Sequence, residues 1–146
     1  MTTQLGSKLY HADTFKRLLA QDVADASETG RPYSVLAVVP QHLPGEGVAD
    51  IVDVAAGCIL KLMRPGDLGG RLDDEILVLG LDDTDGTEAK VCAHRLQGEL
   101  RLRSAYLRNS VWETGVSVLY RDGETVHELL AAAIDAARNR RRLLAT

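Results

Sequence analysis

Residues 64–96 read RPGDLGGRLDDEILVLGLDDTDGTEAKVCAHRL, and the punctuation of this stretch decides the fold. Arg64-Pro65-Gly66-Asp67 ends a helix, because proline lacks the backbone donor and glycine loosens the chain. Two apolar runs of strand length follow, residues 68–72 and 76–81, around the polar pair Asp73-Asp74. Apolar runs about a short polar break predict a β-hairpin. Asp82-Asp83-Thr84-Asp85-Gly86 then reads as a turn whose carboxylates suit the positive end of a helix. The helix that follows places Ala89, Cys92, Ala93, Leu96 and Leu100 on one face.

Working outward from the hairpin, the flanks supply the rest of a layered domain. Upstream, Phe15, Leu18, Leu19, Val23 and Ala26 recur at helical spacing, with Asp13 or Thr14 placed to cap the start. Gly30-Arg31-Pro32 breaks that helix, and residues 33–39 form an apolar run suited to a buried strand that Pro40 ends. Val48, Ile51, Val52, Ala55, Ile59 and Met63 make a second helical stripe after the loop at Pro44, Gly45 and Gly47. Downstream, residues 111–120 read as a strand and Arg121-Asp122-Gly123 as a tight turn. Val126, Leu129, Leu130, Ala133, Ile134 and Ala137 mark a final helix. The order is helix, strand, helix, hairpin, helix, strand, helix. It predicts a single α/β (α+β) sandwich over residues 1–146, a mixed sheet flanked by helices.

Composition narrows the function classes. The net charge is −4, which opposes a general electrostatic affinity for nucleic acid. Aromatic residues are only 4%, too few for the stacking platforms of single-strand binding. Cys58 and Cys92 share no metal or redox spacing, so they read as free thiols of a reducing compartment. MTTQLGSKLYHADTF at the N-terminus has no apolar signal region, and no apolar run reaches membrane-spanning length. A soluble cytoplasmic protein without direct membrane insertion is expected.

The segment 64–96 resembles the centre of a GGDEF domain, the diguanylate cyclase family. That family closes a helix with Arg-x-x-Asp, carries GG(D/E)EF at a hairpin tip, follows it with an acidic turn, and then has a helix containing Ala-Glu-Arg-Leu or Ala-Glu-Arg-Ile. The corresponding residues here are Arg64 and Asp67, then Arg71-Leu72-Asp73-Asp74-Glu75-Ile76, then Asp82-Asp83-Thr84-Asp85, then Ala93-His94-Arg95-Leu96. Gly30-Arg31-Pro32 before the first strand and Thr114-Gly115-Val116 with Asp122-Gly123-Glu124-Thr125 agree more loosely. The resemblance implies the sheet shared with nucleotide cyclases and polymerase palms.

It also implies a degenerate member. The two signature glycines let a nucleotide approach the hairpin backbone, yet Leu72 runs directly into Asp73, Asp74 and Glu75. Two-metal phosphoryl transfer needs a carboxylate on the first strand, and Val39 and Gln41 stand at the family's Asp-x-Asp. The guanine-holding region is shortened to LPGEGVADIVDVAAG, and Leu9-Tyr10-His11-Ala12-Asp13-Thr14 replaces the N-terminal signature. No catalytic residue and no metal site is therefore expected, and Asp74-Glu75 reads as a solvated turn. An active cyclase ranks a distant third among the functions.

What the resemblance leaves is a regulatory site. Family members bind cyclic di-GMP through the Arg and Asp of Arg-x-x-Asp and an Arg of the next helix, matched here by Arg64, Asp67 and Arg95. Guanidinium forks suit phosphate oxygens and the acceptor edge of guanine, and a carboxylate accepts from guanine N–H groups. Arg64 and Asp67 read equally well as a plain ion pair at a helix end. Two functions follow: a cyclic di-GMP receptor needing no cofactor, or a docking module that acts through a protein partner or a homodimer. Arg138-Asn139-Arg140-Arg141-Arg142 reads as a solvated helix end, where the dipole favours cations. His11, His42, His94 and His127 lack ligand spacing.

Overall fold

A computed structural model describes residues 9–145 of the chain, with side chains through residue 139. The basic residues 140–142 and most of the N-terminal stretch therefore lie outside the described side chains.

The elements follow in the order β1 (Tyr10–His11), α1 (Ala12–Thr29), β2 (Tyr33–His42), α2 (Val48–Leu62), β3 (Leu68–Arg71), β4 (Leu77–Asp82), α3 (Gly86–Leu102), β5 (Val111–Val118) and α4 (Val126–Ala145). They build one mixed sheet in the order β1-β3-β4-β2-β5. β2 is an interior strand and pairs antiparallel with both β4 and β5. The expected hairpin is β3–β4, from Leu68↔Gly80 to Arg71↔Leu77.

Side chains of β2 alternate between two cores, as the strand period requires. Leu36 and Val38 pack with Ile51, Val52 and Ile59 of α2 and Leu96 of α3. Val35, Ala37 and Val39 pack with Phe15 and Leu19 of α1 and Leu129 and Ala133 of α4. Each large side chain buried fully in these layers contributes roughly 1.5–3 kcal/mol. The sheet is thus covered on both faces, which explains why β2 reads as a continuous apolar run.

Four local expectations are corrected. Strand β1 was too short to show periodicity, and it pairs parallel with β3 through Tyr10↔Gly70 and His11↔Arg71. This pairing holds His11 extended as the N-cap of α1, without a side-chain bond, so Asp13 falls in the first turn rather than capping it. Pro40 does not end β2. The β4 pairing stops at Val38↔Leu77, while β5 pairing continues past Pro40 to His42 through a bulge. Proline's missing donor therefore faces an unpaired edge, where it is tolerated. The hairpin strands are also shorter than the apolar runs, leaving Leu72 and Ile76 in the loop, joined by Leu72 N–H donating to Ile76 O at 2.9 Å. Cys58 and Cys92 are free thiols. No helix among the described residues is long and apolar enough to cross a membrane.

Candidate functional site

Where α2 ends, Met63 N–H still bonds back to Ile59 O at 3.0 Å. The chain then turns through Arg64 to Asp67, with Asp67 N–H donating to Arg64 O at 3.0 Å and Gly66 at φ 94°. Asp67 drives this turn. Its side chain is 5% exposed, so its charge must be satisfied from within. Its Oδ2 accepts from the Arg64 backbone N–H at 2.9 Å and from Nε at 3.3 Å, and its Oδ1 accepts from Nη2 at 3.2 Å.

A third partner locks the guanidinium from the turn between β4 and α3. Arg64 Nη2 also donates to Thr84 Oγ1 at 2.8 Å. Thr84 is fully buried; its hydroxyl donates to Asp82 O at 2.9 Å and its carbonyl accepts from Ser34 Oγ at 2.8 Å. Asp83 beside it takes φ 52°, a left-handed conformation that aspartate tolerates better than most side chains. The Asp67 hydrogen bond, opposed by burial, pushes the Arg64 guanidinium above its ordinary value. It stays charged at every accessible pH.

Arg95 completes the arrangement from α3. That helix is fixed by a capping box, Asp85 accepting from Glu88 N–H at 2.9 Å and Glu88 accepting from Asp85 N–H at 3.0 Å. Arg64, Asp67, Cys92 and Arg95 rim a depression floored by Leu36, Leu62, Leu79, Leu81 and Leu96, of about 40 Å³. Such a volume holds a water or two, so any dinucleotide must lie across the rim. Arg95 is exposed and has no hydrogen bond or ion pair to another described residue. The three predicted ligand-site residues therefore meet, one cation spoken for and one free.

The hairpin tip is organised differently. Asp73, itself exposed, ties the loop backbone, and its Oδ1 accepts from the backbone N–H groups of Glu75 at 2.7 Å and Ile76 at 2.8 Å. Asp74 and Glu75 are exposed, while Ile76 anchors the loop in the α1/α4 core. Val39 is 3% exposed in that same core. The Gln41 Nε2 is buried with no hydrogen-bond partner among the described residues.

No family model matches the chain, and no curated protein sequence matches it significantly. Solved structures do. The active GGEEF domain of a diguanylate cyclase from Vibrio cholerae superposes with a TM-score of 0.81 at 14% identity, covering 92% of each chain. A DGC protein from Thermotoga maritima gives 0.79 at 16%, over 90% of this chain and 98% of that one. The GGDEF domain of DgcB from Caulobacter crescentus, in complex with c-di-GMP, gives 0.79 at 16%, over 94% and 85%.

The chain has the GGDEF-domain fold.

In this GGDEF fold Asp73, Asp74 and Glu75 lie at the tip of the β3–β4 hairpin. The Arg64–Asp67 turn leads straight into the hairpin, and Arg95 stands one helix away. Sequence reading missed Thr84, which accepts from the same Arg64 Nη2 that reaches Asp67. A threonine among four acidic and glycine residues of a turn gives only a faint hint, that of a side chain able to be buried while bonding backbone. It also missed Asp22. The Tyr33 hydroxyl donates to Asp22 Oδ2 at 3.0 Å, and burial pushes both groups above their ordinary values.

Proposed function

We propose that this GGDEF-fold domain is a catalytically silent signalling module that binds cyclic di-GMP at Arg64, Asp67 and Arg95. One observation carries the reading. An exposed arginine without an internal partner stands on the rim of the depression where a second guanidinium is already oriented.

The division of labour follows from charge. Asp67 largely neutralises Arg64, so Arg95 supplies most of the attraction for a phosphodiester, and Arg64 offers oriented N–H groups. Asp67 is too enclosed to reach guanine directly, and it acts by positioning Arg64. The silence rests on other residues: Val39 and Gln41 at the strand carboxylates, and a hairpin tip without the two glycines. GTP with magnesium should accordingly yield no cyclic di-GMP. We place the module in the cytoplasm, where its ligand or a protein partner would be met.

The test is calorimetric titration of cyclic di-GMP into the wild type, Arg95→Ala and Arg64→Ala, with unfolding curves run on each. Saturable binding that Arg95→Ala abolishes while the fold is intact supports the receptor. No heat from wild type at high ligand concentration overturns it. That outcome would favour the second reading, a nucleotide-independent docking or dimerisation domain, which the closed Arg64–Asp67–Thr84 set also supports as a self-sufficient helix end.

A further inference from the structure

Strand β5 is one edge of the sheet, and its hydrogen-bonding groups are covered unequally. In an antiparallel pair the N–H and C=O of one residue point to the same side, and successive residues alternate. Leu119 N–H donates to Tyr33 O at 2.9 Å, so odd-numbered residues here face β2 and even-numbered ones face outward. At one end of the edge, Gln97 Nε2 donates to Trp112 O at 3.1 Å. At the other, Asp122 takes both groups of Val118: its Oδ2 accepts from the N–H at 2.8 Å, and its own N–H donates to the carbonyl at 2.9 Å. Between these two caps, the outward N–H and C=O of Thr114 and Val116 bond to no described residue. Yet Thr114 is only 3% exposed and Val116 is half-buried, so these ladder groups lie at the floor of a recess and lack the partner that buried backbone groups require.

A groove of about 520 Å³ opens over that uncapped stretch, lined by Thr114, Gly115 and Val116 and walled by helices on both sides. From α3 come Lys90 and His94, with Arg121 beside them near Gly86. From α4 come Ala136 and Asn139. Among the described residues, no acidic side chain lines it. Arg121 is held by Asp122 at 2.8 Å, whereas Lys90 has no partner among the described residues.

We propose that this groove docks an extended acidic segment of a partner protein, which adds to the sheet as a strand beside β5. Only an extended backbone can satisfy the ladder groups of Thr114 and Val116 together. Side chains of an added strand alternate, so one set faces the cations on the α3 side and the other faces the small Ala136 on the α4 side. The recognised chemistry is glutamate or aspartate at every second position with small residues between. A second copy of β5 fits poorly, because the side chains it would turn to the α3 side, Thr114 and Val116, are uncharged and leave Lys90 without a counter-charge. The proposal stands apart from the cyclic di-GMP reading, since no residue is shared.

The experiment is fluorescence anisotropy with a labelled hexapeptide alternating glutamate and threonine, titrated with the full chain. Three controls accompany it: the same peptide N-methylated at alternate backbone amides, the lysine–threonine analogue, and the Lys90→Glu protein. Saturable binding is expected, weakened roughly tenfold or more by N-methylation and by Lys90→Glu and absent with the lysine analogue. Hydrogen exchange of the Thr114 and Val116 amides should slow when the acidic peptide is bound. N-methylation acts on the probe alone, so it cannot be confused with misfolding. Binding indifferent to N-methylation, no binding of the acidic peptide, or β5-mediated self-association would each overturn the proposal.

Discussion

Gly115→Ala tests the packing on which both faces of β5 depend. A Cβ built at this position would lie inside 3.0 Å of the Ala133 carbonyl oxygen, the Ala137 amide nitrogen and the Ala136 carbonyl carbon, the last at 2.9 Å. These are backbone atoms of α4, so no rotamer change can relieve the clash. The helix must instead retreat by roughly 1 Å, a gap that forfeits a quarter to a half of each contact's dispersion energy. Leu129 and Leu130 of α4 are both buried against the sheet, and losing a quarter of some 40 contacts at about 0.1 kcal/mol costs each roughly 1 kcal/mol. Strain left in the strand brings the total to roughly 3 kcal/mol, the upper part of the overpacking range. Gly57→Ala is the matched control. Gly57 is an exposed glycine inside α2, and a methyl group there would have nothing within 4 Å of it, so alanine should stabilise by roughly 0.5–1 kcal/mol. Urea unfolding followed by circular dichroism gives both values from midpoint and slope. A Gly115→Ala protein within about 0.5 kcal/mol of wild type would refute the close approach of α4 to β5.

Asp22→Asn should be more stable than wild type at neutral pH, because it keeps an acceptor for the Tyr33 hydroxyl and removes a charge that burial disfavours. The Asp22 carboxyl is raised above its ordinary 3.8; its stabilising contribution is therefore present below 3.8 and lost as pH rises through the folded-state value. The variant's advantage should vanish in acid, as urea midpoints across pH will show. Thr84→Val strips one acceptor from Arg64 and the hydroxyl bond to Asp82, and should cost about 1 kcal/mol while weakening cyclic di-GMP binding without abolishing it. Asp85→Ala removes the capping box of α3 and should lower stability by about 1 kcal/mol in the same unfolding assay. Val39→Asp should cost roughly 4 kcal/mol or more at neutral pH, the work of ionising a fully buried carboxyl whose pKa rises by several units, and acid should restore part of it.

Much of this architecture was legible because it is periodic. The stripes of α1, α2, α3 and α4 and the hairpin around Asp73 follow directly from which positions are apolar. Glu88 three residues after Asp85 is likewise a local signal, and the capping box forms. Strand β1 was invisible for a physical reason: two residues cannot show a period, and their partner lies in β3, remote in the chain. Pro40 misled because its effect depends on whether a neighbouring strand is present on its donor side, which is a property of the sheet. At the site, the turn from Arg64 to Asp67 is local and readable. That Arg95 shares its rim came only from the family resemblance, since no helical spacing links residues on α2's end and α3. Thr84 was hidden more deeply, as its role depends on the Arg64 guanidinium crossing from another element.

The two halves of the proposed function rest on physically different kinds of evidence. At position 39 the side chain is enclosed with Phe15, Ile76, Val78 and Leu130, so a carboxylate there would be desolvated before it could hold any cation. The proposed loss of turnover is in this sense a property of the packing, and restoring one residue would destabilise the domain before it restored chemistry. Arg95 is the reverse case. It is exposed and pairs with no described residue, so the fold gains nothing from its charge, and replacing it should leave the unfolding curve unchanged within about 0.5 kcal/mol. A ligand is the one partner that would make that charge matter. That is why Arg95→Ala separates receptor from docking module more cleanly than any change at Arg64, where loss of binding and loss of the helix end come together.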